Sequence, residues 1–402
     1  MANGYNKQFA ISNFNDYTLK AESVETTCGI KSGLELSNSG LTLPTSVEKI
    51  FYTSQRHYFY CKDKFIYYLA GKSAKKLALT EFENPTDLAQ FKHANESIII
   101  VKDTDKLHFI GRSMNAITCQ EDFSILCDRG RIYLYKDNRI CFNDIENSIW
   151  GVYETLFSNV LYVDNRYGKI IKLSAQNDHV YILTERAILS LNPTYLASDF
   201  SMTKICDLED CVNKYSVCNF DGEMVFLAGD KLNRFDGKSV TPLFTSLDNF
   251  KANQNAFIVG KDYCLPVKID NNFYLYIFDI KAKEKSLILL DGEYISSNGF
   301  LTKKEGREVC CLSQVKDATK CKWQSTELTF DLDDEKILCG VKVIATSPVD
   351  VIVRGNNRQV KFPSTDKRRN LPTGIKSKTF NLEIVGKVLP VNVQKVVFYY
   401  NI

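Results

Sequence analysis

The chain is short of the groups from which most enzyme sites are built. Its 402 residues include four histidines, His57, His93, His108 and His179, and two tryptophans, Trp150 and Trp323. Each histidine stands alone in or beside an apolar run, the ordinary setting of a core or strand-edge histidine. There is no HExxH pair and no serine framed as GxSxG. Gly71-Lys72-Ser73 ends like a phosphate-binding loop, but the position that must be glycine is Ile66. Cys206, Cys211 and Cys218, and likewise Cys310, Cys311 and Cys321, lack paired CxxC spacing and have no histidine nearby, so zinc is not expected. No run reaches the ~18 apolar residues of a membrane-spanning helix. The first residues, MANGYNKQFAISNFNDYTLK, lack the apolar core of a signal peptide, so the chain is expected to stay in the cytoplasm of the cell that makes it. A net charge of +3 is too small to mark nucleic acid as the main partner.

Thirteen cysteines are present, an odd number at irregular spacing and a poor disulfide framework. Several sit in apolar runs, among them Cys61 in HYFYC, Cys127 in FSILC and Cys339 in KILCG, where a thiol behaves as a small hydrophobe. A reducing compartment follows. Aromatic residues make up 12% of the chain, mostly 25 Phe and 21 Tyr, which lean toward β structure.

Short apolar runs recur along most of the length, separated by polar turns. HYFYC (57–61) is followed by FIYYL (65–69), SIIIV (97–101) by KLHFIG (106–111), RIYLY (131–135) by RICF (139–142), and HVYIL (179–183) by AILSL (187–191). MVFLA (224–228) and KLNRF (231–235), then YCLPVKI (263–269) and FYLYIFDI (273–280), continue the series. Runs of this length with Asp, Gly, Asn and Lys between them read as antiparallel hairpins. Many are apolar at successive positions, as in strands covered on both faces. Corresponding strands start near residues 57, 97, 131, 179, 223, 263 and 307. A period of ~40–50 residues with three or four strands per unit is that of a β-propeller blade, and closure into a ring explains the two-sided runs. Six, seven or eight blades are compatible with this register. Helical signals are few: PTDLAQFKHA (85–94) reads as one or two turns with Thr86 as N-cap, and IENSIWGVYETLF (145–157) is compatible with a helix, a strand or a loop.

The pattern changes near Lys322. WQSTELTFDL (323–332), ILCGVKVIAT (337–346), VDVIVRG (349–355), RQVKFP (358–363), FNLEIVG (380–386) and VQKVVFYY (393–400) read as longer, alternating strands of a small β-sandwich. The stretch 363–374 reads as an exposed loop. The expected architecture is all-β: an N-terminal segment over 1–40 that helps close the propeller, a β-propeller over 41–321 and a β-sandwich over 322–402. From Lys322 onward 13 Lys and Arg face 8 Asp and Glu, a net of +5 against −2 for the rest. The basic triplet Lys367, Arg368 and Arg369 is the candidate contact with a neighbouring subunit or with DNA, beside the plainer reading of a solvated loop.

Two sets of stretches carry a resemblance. ILTERAILSL (182–191) with MVFLAGDKLNRFDGKSV (224–240), and KWQSTELTF (322–330) with RRNLPTG (368–374) and FNLEIVG (380–386), resemble the β-propeller structural tail proteins of tailed bacteriophages, of the nozzle or stabilisation type. The likeness covers roughly residues 165–402. It departs at Lys231, where the related turn has glycine; Gly229-Asp230 is the alternative place for a positive φ. The resemblance implies a non-enzymatic virion protein made in the host bacterial cytoplasm. It implies a homo-oligomeric ring, hexameric by family analogy, below the portal. Such a ring serves as assembly platform and DNA conduit, its partners being other tail and portal proteins and transiting DNA. It implies no catalytic residue, cofactor or metal. Two other classes stand beside it. A receptor- or glycan-binding propeller would use exposed loop aromatics such as Tyr153, Tyr167 and Tyr195. A glycoside-cleaving enzyme would need two facing carboxylates from candidates such as Asp164, Glu185 and Asp221; the Ser-x-Asp-x-Gly-x-Thr-Trp box of sialidases is absent, as are WD and kelch marks.

Overall fold

The structure, a computed structural model, describes residues 7–11, 18–22, 24–25, 30–32 and 34–402, apart from 55, 72, 94–95, 147, 245–250, 253, 270, 282, 315, 331–333 and 364–368. Among the described residues seven antiparallel sheets of propeller type follow one another. Blade 1 holds Val47–Tyr52, His57–Cys61, Ile66–Ala70 and Ser73–Lys76. Blade 2 holds Pro85–His93, Glu96–Asp103, Lys106–Ile110 and Met114–Thr118. Blade 3 holds Ser124–Asp128, Arg131–Lys136, Arg139–Phe142 and Asn159–Tyr162. Blade 4 holds Ile170–Gln176, His179–Thr184, Ala187–Asn192 and Ser201–Asp207. Blade 5 holds Cys218–Phe220, Glu223–Ala228, Lys231–Phe235 and Val240–Phe244. In blade 6 the segments Lys251–Ala252 and Phe257–Val259 both pair with Asp262–Ile269, followed by Asn272–Asp279 and Glu284–Leu290. Blade 7 holds Tyr294–Ser297, Phe300–Lys303 and Glu308–Gln314, and takes its fourth strand, Leu34–Thr42, from the other end of the chain.

The two-sided apolar runs explain why the ring forms. In His57–Cys61, Tyr58 and Tyr60 enter the core shared with blade 2, while Phe59 and Cys61 enter the core shared with blade 7. Side chains alternate faces along a strand, so every middle strand feeds two cores. Seven such cores run around the molecule, each between two adjacent blades, and the one joining blade 7 to blade 1 contains Ile295, Val309, Ile50 and Phe59. A blade alone would leave both faces wet; the closed ring buries all of them. The fourth strands, at the rim, are far more exposed than the second and third.

Three local expectations are corrected. The turns read over 85–94 are not there among the described residues: Pro85–His93 is the innermost strand of blade 2 and pairs along Glu96–Asp103. Leu88 and Phe91 have helical spacing, but Leu88 enters the core with blade 1 and Phe91 the core with blade 3. The stretch 363–374 is not one exposed loop, because Arg369–Ser377 is a strand against Lys336–Ala345 with Leu371 buried. The strand read over 323–332 stops at Ser325; the chain then turns through a bridge between Leu328 and Phe380, and Phe330 is buried with φ +55°. Residues 145–157 contain one helix, Ile149–Thr155, capped by the Ser148 hydroxyl accepting from Gly151 N at 3.0 Å. Gly229, with φ +58°, is the positive-φ residue of the turn before Lys231.

The sandwich packs two sheets over one core containing Trp323, Phe380, Val351, Val341 and Phe398. N-terminal strands complete it. Lys7–Ile11 and Ile30–Ser32 both pair with Asn392–Asn401, and Thr18–Glu22 pairs with Lys322–Ser325. Thr18–Glu22 also touches Glu284–Leu290 of blade 6 through a parallel bridge, Glu22 to Leu287, so one ten-stranded sheet runs from blade 6 into the sandwich. Among the described residues no helix is long and apolar enough to cross a membrane.

Candidate functional site

The first strand of each blade lies innermost, and in blades 2, 4 and 7 its polar side chains reach across to a neighbouring blade. Asp87 of blade 2 accepts from Ile125 N of blade 3 at 2.7 Å and from Leu88 N at 2.8 Å. From blade 4, Lys172 Nζ donates to Val217 O at 3.1 Å and Gln176 Nε2 to Glu223 O at 3.1 Å, while the Ser174 hydroxyl meets Asn219 Oδ1 at 3.0 Å. From blade 7, the Ser296 hydroxyl donates to Asn255 O at 2.6 Å. Most of these bonds satisfy backbone groups of the neighbouring blade. Burial raises the Asp87 carboxyl from 3.8 to about 6, against the pull of its backbone donors and of Lys172. Burial likewise lowers the Lys172 ammonium. Both cysteines on neighbouring inner strands are raised by burial, Cys218 to about 12, so neither is a thiolate nucleophile near neutral pH.

The histidines are structural in their surroundings. His57 Nε2 lies 3.0 Å from Asn298 O, His93 Nε2 3.0 Å from Glu146 O, and His179 Nδ1 3.0 Å from Ser190 Oγ. His108 is buried 3.8 Å from Asp103, itself held by Glu83 N and Asn84 N. Among the described residues no three His, Cys, Asp or Glu side chains converge as metal ligands.

The carboxylates and aromatics singled out in the sequence scatter. Asp221 lies at the turn before blade 5's second strand and pairs with Lys281 at 3.6 Å. Glu185 accepts from Lys169 N, and Asp164 caps a single turn, Asn165–Tyr167, by accepting from Arg166 N at 2.9 Å. Tyr153 is buried against Phe109, with ring centroids 4.3 Å apart, and is no loop aromatic. Tyr195 is 71% exposed, while its carbonyl accepts from the buried Arg131 at 2.7 Å. Arg369 opens a sandwich strand opposite Val341; Lys367 and Arg368 lie outside the described residues.

Tyr167 and Asp164 do meet in a cleft of about 560 Å³ between the outer edges of blades 3 and 4. Tyr162 projects from blade 3's rim strand and Met202 and Lys204 from blade 4's, and the floor is Val163 and Leu189. Tyr162, Asn138 and Lys204 carried no signal in the sequence. Alternation along Asn159–Tyr162 puts Val160 and Tyr162 outward, but only the pairing of a rim strand reveals that.

No family model matches the chain, and no curated protein does. Among solved structures it is similar to BBS1N, crystallised with ARL6DN, at 10% identity over 70% of this chain and 98% of that one, with a TM-score of 0.46. It is similar to the computationally designed Ika8 protein at 10% identity over 68% and 99%, TM-score 0.42. It is also similar to the extracellular domain of BT4673 from B. thetaiotaomicron, at 11% identity over 84% and 47%, TM-score 0.45. The chain itself, by its sheet order and ring of inter-blade cores, is an all-β protein with a β-propeller fold followed by a β-sandwich.

Proposed function

We propose that this chain is a non-enzymatic structural protein of a bacteriophage tail, of the nozzle or stabilisation type. It is an assembly platform and DNA conduit in a homo-oligomeric ring on the virion, hexameric by family analogy. The observation that carries the reading is the strand Thr18–Glu22, shared between blade 6 and the sandwich. A strand laddered to Lys322–Ser325 and bridged to blade 6 at Glu22 and Leu287 ties the two bodies together, which suits a part that transmits force and holds neighbours in register. The axis supports the same reading, since its polar groups are engaged in tying blade to blade. The partners are other copies, further tail and portal proteins, and passing DNA, with the basic sandwich region around Arg369 as the contact surface.

The test is the native mass by light scattering from micromolar to near-millimolar protein, at low and high salt. A discrete cyclic oligomer is the expected result. A monomer throughout, combined with no association in a mixture with purified portal and tail proteins, overturns the reading.

A further inference from the structure

We propose that the rim cleft between blades 3 and 4 binds a neutral oligosaccharide. Three observations on the cleft lead there, none of them used by the assembly role.

The first is an aromatic ring without a structural task. Tyr162 is 69% exposed on the outermost strand of blade 3, and among the described residues its hydroxyl has no hydrogen-bond partner. A tyrosine in the open costs little entropy to order and offers one apolar face and one polar tip. A pyranose ring presents the complementary surface, a patch of C–H groups bordered by hydroxyls.

The second is a set of flat polar groups held in place before any ligand arrives. Arg166 stacks on Tyr167 with its guanidinium 4.6 Å from the ring centroid and donates to the Tyr167 hydroxyl at 2.5 Å. Its Nε lies 3.4 Å from Asp164 Oδ2. Asn138 is fixed by a 2.7 Å bond from Nδ2 to Gly168 O, which leaves its Oδ1 to accept from a ligand. Asn165 sits between them with no side-chain partner among the described residues. Planar amides and guanidinium groups bond two adjacent hydroxyls at once, and a fixed rotamer avoids the entropy loss of forming them on binding.

The third is charge. Arg166 is matched by Asp164, Lys204 is clasped by both oxygens of Asp207 at 3.0 and 2.8 Å, and Lys169 at the margin pairs with Asp137 at 2.9 Å. A phosphate, sulfate or sialic acid would meet each of these cations already matched by a carboxylate that repels it. A neutral sugar needs no unmatched cation and is not repelled. The cleft's volume, about 560 Å³, falls within the usual ~300–1,000 Å³ of small-ligand sites.

The experiment is binding of the whole chain to an array of unsubstituted gluco-, galacto-, manno- and N-acetylglucosamine oligosaccharides, printed beside sialylated and sulfated ones. Tyr162→Ala, Tyr162→Phe and Asn165→Ala are run in parallel. Retention of neutral oligosaccharides is expected. It should fall roughly tenfold or more in Tyr162→Ala, the loss of one central contact, and persist in Tyr162→Phe, which keeps the ring. Thermal midpoints and native mass should not move, because both side chains are at the surface. Three results each overturn the proposal: no neutral oligosaccharide is retained, only acidic glycans are retained, or Tyr162→Ala binds as the parent does.

Discussion

Replacing Arg131 by methionine removes a cation from a place with no carboxylate to receive it. The side chain is almost wholly buried in blade 3, yet it donates to Asn143 O at 2.6 Å, Thr194 O at 3.2 Å and Tyr195 O at 2.7 Å. Its guanidinium lies over Phe200 at 4.9 Å and Phe142 at 5.5 Å, rings that stack on each other. Three bonds from a charged donor are worth about 1.5–3 kcal/mol each. Against this stands the cost of burying the cation, several kcal/mol, which also lowers the Arg131 pKa. Methionine recovers the desolvation but strands three carbonyls, at about 1–3 kcal/mol apiece. The net expectation is a loss of about 3 kcal/mol for Arg131→Met. A smaller loss is expected for Arg131→Lys, whose single ammonium cannot span Asn143 O and Tyr195 O together. Urea unfolding gives the number from the shift in midpoint at constant slope. Proteolysis in the loop around Tyr195 should accelerate in both variants, since Arg131 is what holds that loop to blade 3. A methionine variant as stable as the parent, or more so, would refute the reasoning by showing that desolvation outweighs the three bonds.

Asp87 gives a pH signature: its folded-state pKa lies above the unfolded value, so the native state is the better proton binder. Its contribution is complete below the unfolded pKa of 3.8 and is lost as pH rises through about 6. Stability from this group should therefore decline over that window by up to about 3 kcal/mol, and Asp87→Asn should flatten the decline; urea midpoints at several pH values that track identically in both proteins would sink the assignment. Leu36→Pro, in the strand that completes blade 7 opposite Leu312, should cut hydrogen-exchange protection along Glu308–Gln314 while Ala187–Asn192 keeps its own, because proline removes a ladder donor there. Unchanged protection at Glu308–Gln314 would mean the closing strand contributes nothing to the seal.

Much of the propeller was legible because its middle strands are apolar on both faces. Tyr58 and Phe59, or Ile132 and Tyr133, feed opposite cores, and such runs announce themselves locally. Six of the seven strand starts read from the period fall at the second strand of a blade. The seventh, near 307, falls at the third strand of blade 7, whose second strand is the short Phe300–Lys303. That blade has no local fourth strand to complete the count, since Leu34–Thr42 arrives from a distance. Pairing across nearly three hundred residues leaves no periodic trace, so the destinations of Lys7–Ile11 and Thr18–Glu22 were equally hidden. The stretch 85–94 misled for a different reason: Leu88 and Phe91 stand three apart, as on one face of a helix, but an odd spacing along a strand sends them to opposite faces and so to two cores. The rim cleft was visible only in Tyr167 and Asp164. Its other groups come from a hairpin turn at Asn138, from the chain around the turn Asn165–Tyr167, from Leu189 and from two rim strands, and nothing short of the folded ring brings them together.

The strand Leu34–Thr42 also sets a schedule for the nascent chain. It leaves the ribosome early, yet its partner Glu308–Gln314 is some 270 residues behind it. At ~5–20 residues per second the early strand waits roughly 15–55 s with its backbone donors and acceptors unmatched. Blades 1 to 6 can pack in order during that time, each new one covering the exposed face of the last. The strands that join the sandwich to Asn392–Asn401 wait longer still. The last step of ring closure is thus the docking of this early strand onto Glu308–Gln314, and an expression system that translates faster, or supplies a chaperone for the waiting segment, should yield more closed propellers from the same message.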